Sequence, residues 1–282
     1  MLSSIPSPSS GSFDLGPITL RAYGLMIALG VLAAVWLMAK RFEQRKIDPE
    51  HASAIAMWLV PAGLVGARAY HVATDWRRFQ GNWGSALKIW EGGLGILGGL
   101  IFGVGAAILY CHRKDLDIKT VTDIVAPALP LAQLIGRWGN YFNQELFGKP
   151  TNLPWGLSID PQKRPINYQG EDTFHPTFLY ESLWNLLVIF VLLKIEKMKI
   201  LPKGFMLVAY FLLYSIGRLW VEALRIDEAT QLGGIRINIW IFGVVAISSI
   251  SFMMIGVKRN SAFSKRKTNS NFKDDAKESL LD

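Results

Sequence analysis

Apolar residues run through this chain in seven long stretches, separated by short segments that hold most of the charge. The stretches cover approximately Thr19–Ala39, Ala52–Thr74, Gly92–Tyr110, Val121–Tyr141, Pro176–Leu193, Gly204–Leu224 and Ile237–Val257. Each approaches the roughly 20 apolar residues a helix needs to cross a bilayer. The pattern predicts an all-α integral membrane protein with seven transmembrane helices over residues 19–257. Residues 1–18 are rich in Ser and Pro and are expected to be flexible. Residues 142–175, with Pro150, Pro154, Pro161 and Pro165, are expected to form a small cap. Residues 258–282 are polar, charged and poor in aromatics, and are expected to be a disordered basic tail.

Composition agrees with a lipid environment: 51% of the 282 residues are hydrophobic, only 18% are charged, and the mean hydropathy is +0.26. The net charge of +8 is a topology signal here, and no nucleic-acid motif or partner is expected. Alternate connections (Lys40–Lys46, His112–Thr120, Lys194–Lys203 and the tail from Lys258) carry 18 Lys and Arg, against 8 on the other side. The positive-inside rule then places the C-terminus in the cytoplasm and, with seven spans, the N-terminus outside. Trp76, Trp83 and Trp90 share one outer connection, as an interfacial belt would. The segment before the first span lacks Lys and Arg and does not read as a cleaved signal peptide. The single cysteine, Cys111, forms no internal disulfide and falls at the inner end of the third span.

Ionisable residues inside the spans gather toward the outer half: Tyr23, Arg68, Arg137, His175, Tyr180, Glu181, Arg218 and Glu222. Arg218 lies 14 residues past Gly204, roughly 21 Å along a helix. Each such arginine costs at least ~2.5 kcal/mol to insert, so these residues are expected to face a protein interior or a wet cavity. At about 100° per residue, Tyr214, Arg218, Glu222 and Arg225 share one face of the sixth span. In the third span Gly95, Gly99 and Gly103 recur every four residues, which permits close helix contact.

The densest polar stretch ends the fourth span: Gly136-Arg137-Trp138-Gly139-Asn140-Tyr141-Phe142-Asn143-Gln144-Glu145-Leu146-Phe147-Gly148. GRWGNYFNQELFGKP, followed by LPWGL and HPTFLYE, resembles the signature region of the bacterial prolipoprotein diacylglyceryl transferases. The similarity runs from Leu20-Arg21-Ala22-Tyr23-Gly24 through Arg225, and includes the glycine-rich segment from Glu91-Gly92-Gly93 to Gly98-Gly99. The resemblance implies an enzyme of the bacterial plasma membrane that works at the external leaflet. It moves the diacylglyceryl group of phosphatidylglycerol to the lipobox cysteine of a prelipoprotein, forming a thioether and releasing glycerol phosphate. Carried over by motif, Arg137, Asn140, Glu145 and Gly148 belong to the signature. Tyr23 belongs to the first-span Tyr-Gly pair, and Tyr214, Arg218, Glu222 and Arg225 to the sixth-span run.

The residue chemistry supports such a reading. Arg137 and Arg218 can grip a phosphodiester with paired donors and stabilise charge as it leaves. Tyr23 and Glu222 are further catalytic candidates. Asn140, Glu145, Gly148, Tyr214, Arg225, Arg68 and His175 are candidate substrate contacts. The attacking thiol belongs to the substrate, so no catalytic cysteine is needed, and Cys111 is read as inert. Many family members carry a histidine before the paired glycines of the third span; here Leu97 stands there, so either His71, His175, Glu222 or Tyr23 is the base or deprotonation needs no dedicated base. No cofactor is expected, and no metal site, because Asp123 is the only aspartate in a span. A monomer is expected. The alternative is a small-solute or ion transporter, although the charges lie toward one face and no internal repeat is visible.

Overall fold

The computed structural model describes residues 4–16 and 18–278; the tail expected beyond 258 lies largely outside the described side chains, which stop at Lys258. Seven helical stretches are long and apolar enough to span a membrane: Ala22–Gln44, Glu50–Thr74, Ile96–Arg113, Ile118–Asn143, Thr177–Lys197, Met206–Leu224 and Ile237–Lys258. The fourth is two helices, α4 (Ile118–Val125) and α5 (Ala128–Asn143), in series with α1 (Ala22–Gln44), α2 (Glu50–Thr74) and α3 (Ile96–Arg113). The break falls at Ala126-Pro127. Proline has no N–H to donate and disfavours helical backbone in the residue before it, so an apolar run continuous in hydropathy is interrupted in structure.

The chain forms two compact units. In Val35–Ile124, α2 packs along α3 through glycines. A Cβ at Gly66 would come within 2.5 Å of the Gly98 carbonyl oxygen, and one at Gly98 within 2.1 Å of the Gly66 oxygen. Only small residues permit this approach; of the glycines at four-residue spacing, Gly99 and Gly103 also face α2, their Cβ positions lying 3.4 Å from the Gly63 oxygen and 3.1 Å from the Leu59 oxygen. Arg68, 7% exposed, spends its guanidinium on the connection between these helices. It donates to the carbonyls of Ser85 (2.6 Å), Ala86 (2.7 Å), Gly93 (3.0 Å) and Gly92.

The second unit holds residues up to Ala34 and from Val125 on. It contains α5, α6 (Thr177–Lys197), α7 (Met206–Leu224) and α8 (Ile237–Glu278). Ala126, Val188, Leu192, Met206, Ala209 and Tyr210 form its apolar core. The start of α1 lies on α5: a Cβ at Gly30 would meet the Ala132 carbonyl oxygen at 2.8 Å, and one at Gly139 the Tyr23 ring at 2.7 Å.

The connection from α5 to α6 folds over its own small core of Phe147, Leu157, Ile159, Phe174 and Phe178. Its strands Leu157–Ser158 and Thr173–Phe174 pair antiparallel. The N-terminal segment expected to be flexible is hydrogen-bonded. Residues Ser12–Leu15 pair with Ile18–Arg21, and Ile5 exchanges backbone bonds with Gly156 (2.8 Å) and Ser158 (2.9 Å). Between α7 and α8, Gln231–Leu232 pairs with Ile235–Arg236 across Gly233-Gly234, both at positive φ (62° and 76°). This is the backbone that a two-residue hairpin with primed turn geometry requires.

Candidate active site

The polar stretch at the end of α5 leaves the helix through left-handed backbone. Gln144 and Leu146 have φ of 52° and 60°, which costs non-glycine residues of order 1 kcal/mol each. Surrounding contacts hold them there. The Glu145 amide donates to the Asn140 carbonyl (3.1 Å), Thr177 Oγ1 donates to the Leu146 carbonyl, and the Gln144 side chain donates to Asp160 Oδ2 (2.6 Å) and the Pro8 carbonyl (3.0 Å). The turn thereby presents Asn140 and Glu145 to each other, with Asn140 Nδ2 donating to Glu145 Oε1 at 2.7 Å. Asn140 Oδ1 in turn accepts from Arg137 Nη1 at 3.4 Å.

Arg137 and Arg218 converge on one carboxylate, Glu181 of α6. Arg137 Nη2 lies 2.5 Å from Glu181 Oε2, and Arg218 Nη1 lies 3.1 and 3.2 Å from its two oxygens. Arg218 also donates to Glu222 Oε2, one helical turn on. Glu222 is fully buried. Its Oε1 accepts from Arg236 Nε at 2.7 Å and Asn238 Nδ2 at 3.0 Å, and Arg225 Nη1 lies 3.8 Å from Oε2. Asp227 closes the chain. It receives a forked pair from Arg225 at 2.7 and 2.8 Å and one bond from Arg236 at 3.1 Å. Burial alone would raise the Asp227 carboxyl pKa, but the Arg225 and Arg236 guanidiniums reverse this and hold it below its ordinary value. The same pairing raises Arg225 against the opposing effect of its own burial.

Among the described residues, four guanidiniums thus meet three carboxylates in the direct ion pairs of this network, with one positive charge in surplus. Glu145 joins only through the Asn140 amide. Arg218 Nε and Asn185 Oδ1 are buried, and among the described residues neither has a hydrogen-bond partner. Both residues line a small cavity of about 10 Å³ with Glu181, Trp184, Tyr214, Gly217 and Val221. The Arg218 guanidinium stacks 5.7 Å from the Phe242 ring.

The helical-face reading of the sixth span holds for Arg218 and Glu222 but not for Arg225. α7 ends at Leu224, and Arg225 has extended backbone (φ −69°, ψ 144°), so its side chain reaches Asp227 from outside the helix. Tyr214 stacks on Tyr210 (5.7 Å between centroids) and meets the edge of Phe242 (5.6 Å). Tyr23 is 37% exposed and packs against Gly139.

Gly148 ties the cap to the end of α7. Its amide donates to the His175 carbonyl at 2.9 Å, the next amide donates to Leu224 at 2.9 Å, and any Cβ there would meet the His175 Cβ at 2.8 Å. His175 Nδ1 lies 3.0 Å from the Tyr180 hydroxyl, which also accepts from Trp155 Nε1 at 3.0 Å. Burial, with help from the Lys149 charge, lowers the His175 pKa. In the other unit, His71 meets the edge of Phe79, and Leu97 is 53% exposed.

Sequence reasoning did not select Glu181, Asp227, Arg236 or Asn238. Glu181 closes the HPTFLYE motif, so a signal was present. Asp227 and Arg236 sit in the short connection between the last two spans and Asn238 in the first turn of α8, where hydropathy carries no information about partners.

A family model described as prolipoprotein diacylglyceryl transferase matches residues 10–255. Relatives named phosphatidylglycerol–prolipoprotein diacylglyceryl transferase share this chain's sequence closely. The Frankia alni protein is 45% identical over 90% of this chain and 68% of its own length. The Streptomyces griseus protein is 44% identical over 91% and 79%, and the Mycobacteroides abscessus protein 42% identical over 91% and 80%. Some relatives are considerably longer, the chain spanning 61% of the Frankia casuarinae protein. With the match covering all seven apolar helices and every residue of the arginine–carboxylate network, the chain belongs to the prolipoprotein diacylglyceryl transferase family.

Proposed function

We infer that the chain transfers the diacylglyceryl group of phosphatidylglycerol to the lipobox cysteine of a prelipoprotein. The observation that carries this is the surplus positive charge of the buried network, centred on Arg137 and Arg218, which a singly charged phosphodiester would neutralise. The substrate thiol sulfur attacks the glyceryl carbon that bears the phosphate. The S–C bond forms as the C–O bond breaks, and the electron pair leaves on glycerol phosphate. Charge therefore builds on the phosphate oxygen, where fixed guanidiniums stabilise it best.

Glu181 and Glu222 hold the guanidiniums in place. Glu222 already accepts from Arg218, Arg236 and Asn238, so it anchors the site and does not serve as the base. His175 suits the thiol proton better: its lowered pKa keeps the imidazole neutral near pH 7, and Tyr180 orients its ring. Asn140, Glu145 and Gly148 set the turn that brings the cap to the network. Tyr23 and Tyr214 line its apolar approaches, and Arg68 braces the connection after α2.

The connections that carry the site are the Lys- and Arg-poor ones, which supports a site facing the external leaflet of a bacterial plasma membrane, with the C-terminus in the cytoplasm. The family and the relatives' names match the transferase and not the transporter alternative.

The test uses purified protein with phosphatidylglycerol and a lipobox peptide, read by mass spectrometry. Wild type is expected to add diacylglyceryl to the peptide cysteine, and Arg137→Ala to lose the adduct. An inserted peptide left unmodified by wild type beside intact phosphatidylglycerol refutes the reading.

A further inference from the structure

A cleft of about 310 Å³ opens beside the arginine network, lined by Asn143, Gln144, Glu145, Leu146, Phe147, Lys163, Pro165, Ile226 and Asp227. Two of its wall residues belong to the network's edge. Asp227 binds Arg225 and Arg236, and Glu145 connects through Asn140 to Arg137. Lys163 and Pro165 come from the cap, and Glu145 and Lys163 are exposed, so the cleft is wet. The small cavity beside Arg218 holds about 10 Å³ and is walled by Trp184 and Val221, too tight for more than one water.

We propose that this cleft is the subsite for the terminal glycerol of the phosphatidylglycerol headgroup, and the exit by which glycerol phosphate reaches water. The proposal rests on the function inferred above. A phospholipid seated with its phosphate on the guanidiniums must direct its acyl chains to the membrane and its terminal glycerol to the aqueous side. The cleft is the wet space that shares side chains with the network on that side.

Its chemistry fits a vicinal diol. Hydroxyls donate to carboxylate oxygens and accept from amides. Glu145 lines the cleft and uses Oε1 on Asn140, so its carboxylate has a second oxygen to offer as an acceptor. The charge of Asp227 is already taken up by two guanidiniums, so it offers lone pairs and no free negative charge. Lys163 at the rim adds a positive charge. Such a lining favours a neutral polyol over an ammonium headgroup. The left-handed residues Gln144 and Leu146 bracket Glu145 and fix its backbone, so the acceptor is pre-positioned.

The experiment compares phosphatidylglycerol with phosphatidyl-n-propanol, which keeps the phosphodiester and lacks both hydroxyls. Each is presented in phosphatidylcholine vesicles with the full-length protein and a lipobox peptide. Wild type is expected to prefer phosphatidylglycerol by roughly ten- to a hundredfold in kcat/KM. In Glu145→Gln and Asn143→Ala the ratio of the two lipids is expected to fall toward one, whatever happens to either rate. A preserved ratio in both variants overturns the subsite. A raised KM for the peptide, with lipid discrimination intact, also overturns it and gives the cleft to the peptide. Wild type itself adds a check independent of any variant: glycerol phosphate is expected to inhibit at about tenfold lower concentration than methyl phosphate. Equal inhibition by the two overturns the subsite while the transferase stands; no adduct from phosphatidylglycerol at all overturns the transferase, and the subsite with it.

Discussion

Replacing Glu181 with glutamine tests whether the network is a phosphate clamp or only a structural tie. Glu181 is the carboxylate on which Arg137 and Arg218 meet, at 2.5 and 3.1 Å. Its loss raises the surplus from one positive charge to two. Arg218 keeps Glu222, but Arg137 loses its ion pair and retains only the 3.4 Å contact to Asn140. Removing one partner of a buried pair costs about 3–5 kcal/mol, and the 19% exposure of the Arg137 side chain places this case near the lower end. A clamp that loses its alignment should also lose about 10²–10³ in kcat, the usual effect of removing one preorganised group around a developing oxyanion. The two readings separate in inhibition. With an extra uncompensated guanidinium, Glu181→Gln should bind glycerol phosphate more tightly than wild type while turning over more slowly. The assay pairs initial rates at saturating peptide with thermal unfolding and glycerol phosphate inhibition, all on folded protein. Unchanged kcat and unchanged inhibition in a destabilised Glu181→Gln would refute the clamp and leave Glu181 a structural tie.

The conservative variants Arg137→Lys and Arg218→Lys should each lose at least about a hundredfold in kcat, because an ammonium cannot reproduce the forked donors; rates near wild type would show that charge alone suffices. Glu222→Ala should fail to accumulate or should melt well below wild type, since it removes the buried carboxylate that Arg218, Arg236 and Asn238 share; a melting curve on detergent-purified protein decides this. Gly217→Ala should destabilise, because its Cβ would fall 2.2 Å from Trp184 Nε1 and break that donor's 3.0 Å bond to the Leu213 carbonyl. Stability should depend on pH in two windows. The folded His175 binds its proton less readily than the ordinary 6.5, so stability is full above pH 6.5 and declines as pH falls through the folded value. Asp227, held below 3.8, adds a second loss as pH falls through its own folded value. His175→Gln should remove the first decline from unfolding curves, and the acidic limb of kcat as well if His175 takes the thiol proton.

The seven spans were legible because lipid imposes one rule on every residue inside it, and hydropathy reads that rule directly. The break at Ala126-Pro127 was not, because a proline changes backbone bonding without changing apolarity. The glycine spacing in the third span was readable because Gly99 and Gly103 lie against the α2 backbone, while the tightest contact, Gly66 on Gly98, falls one residue off that repeat. Arg225 shows where periodicity stops being a guide: the 100° rule requires the helix to continue, and α7 ends one residue earlier.

The site divides the same way. Arg137, Arg218 and Glu222 announce themselves because an ion inside a span is costly and needs a reason. Glu181 has the same cost, yet at the start of its helix it can pass for an interfacial residue; only the convergence of two arginines gives it a role. Asp227 and Arg236 lie in a polar connection where charge is unremarkable. Their importance follows from the Gly233-Gly234 turn, which folds Arg236 back onto Glu222 and Asp227. A carboxylate as deeply buried as Glu222 requires more than one cation, and the sixth span alone supplies only Arg218 within its helix. The demand for a further partner is therefore written in the span, while the identity of that partner is settled by a hairpin fourteen residues away.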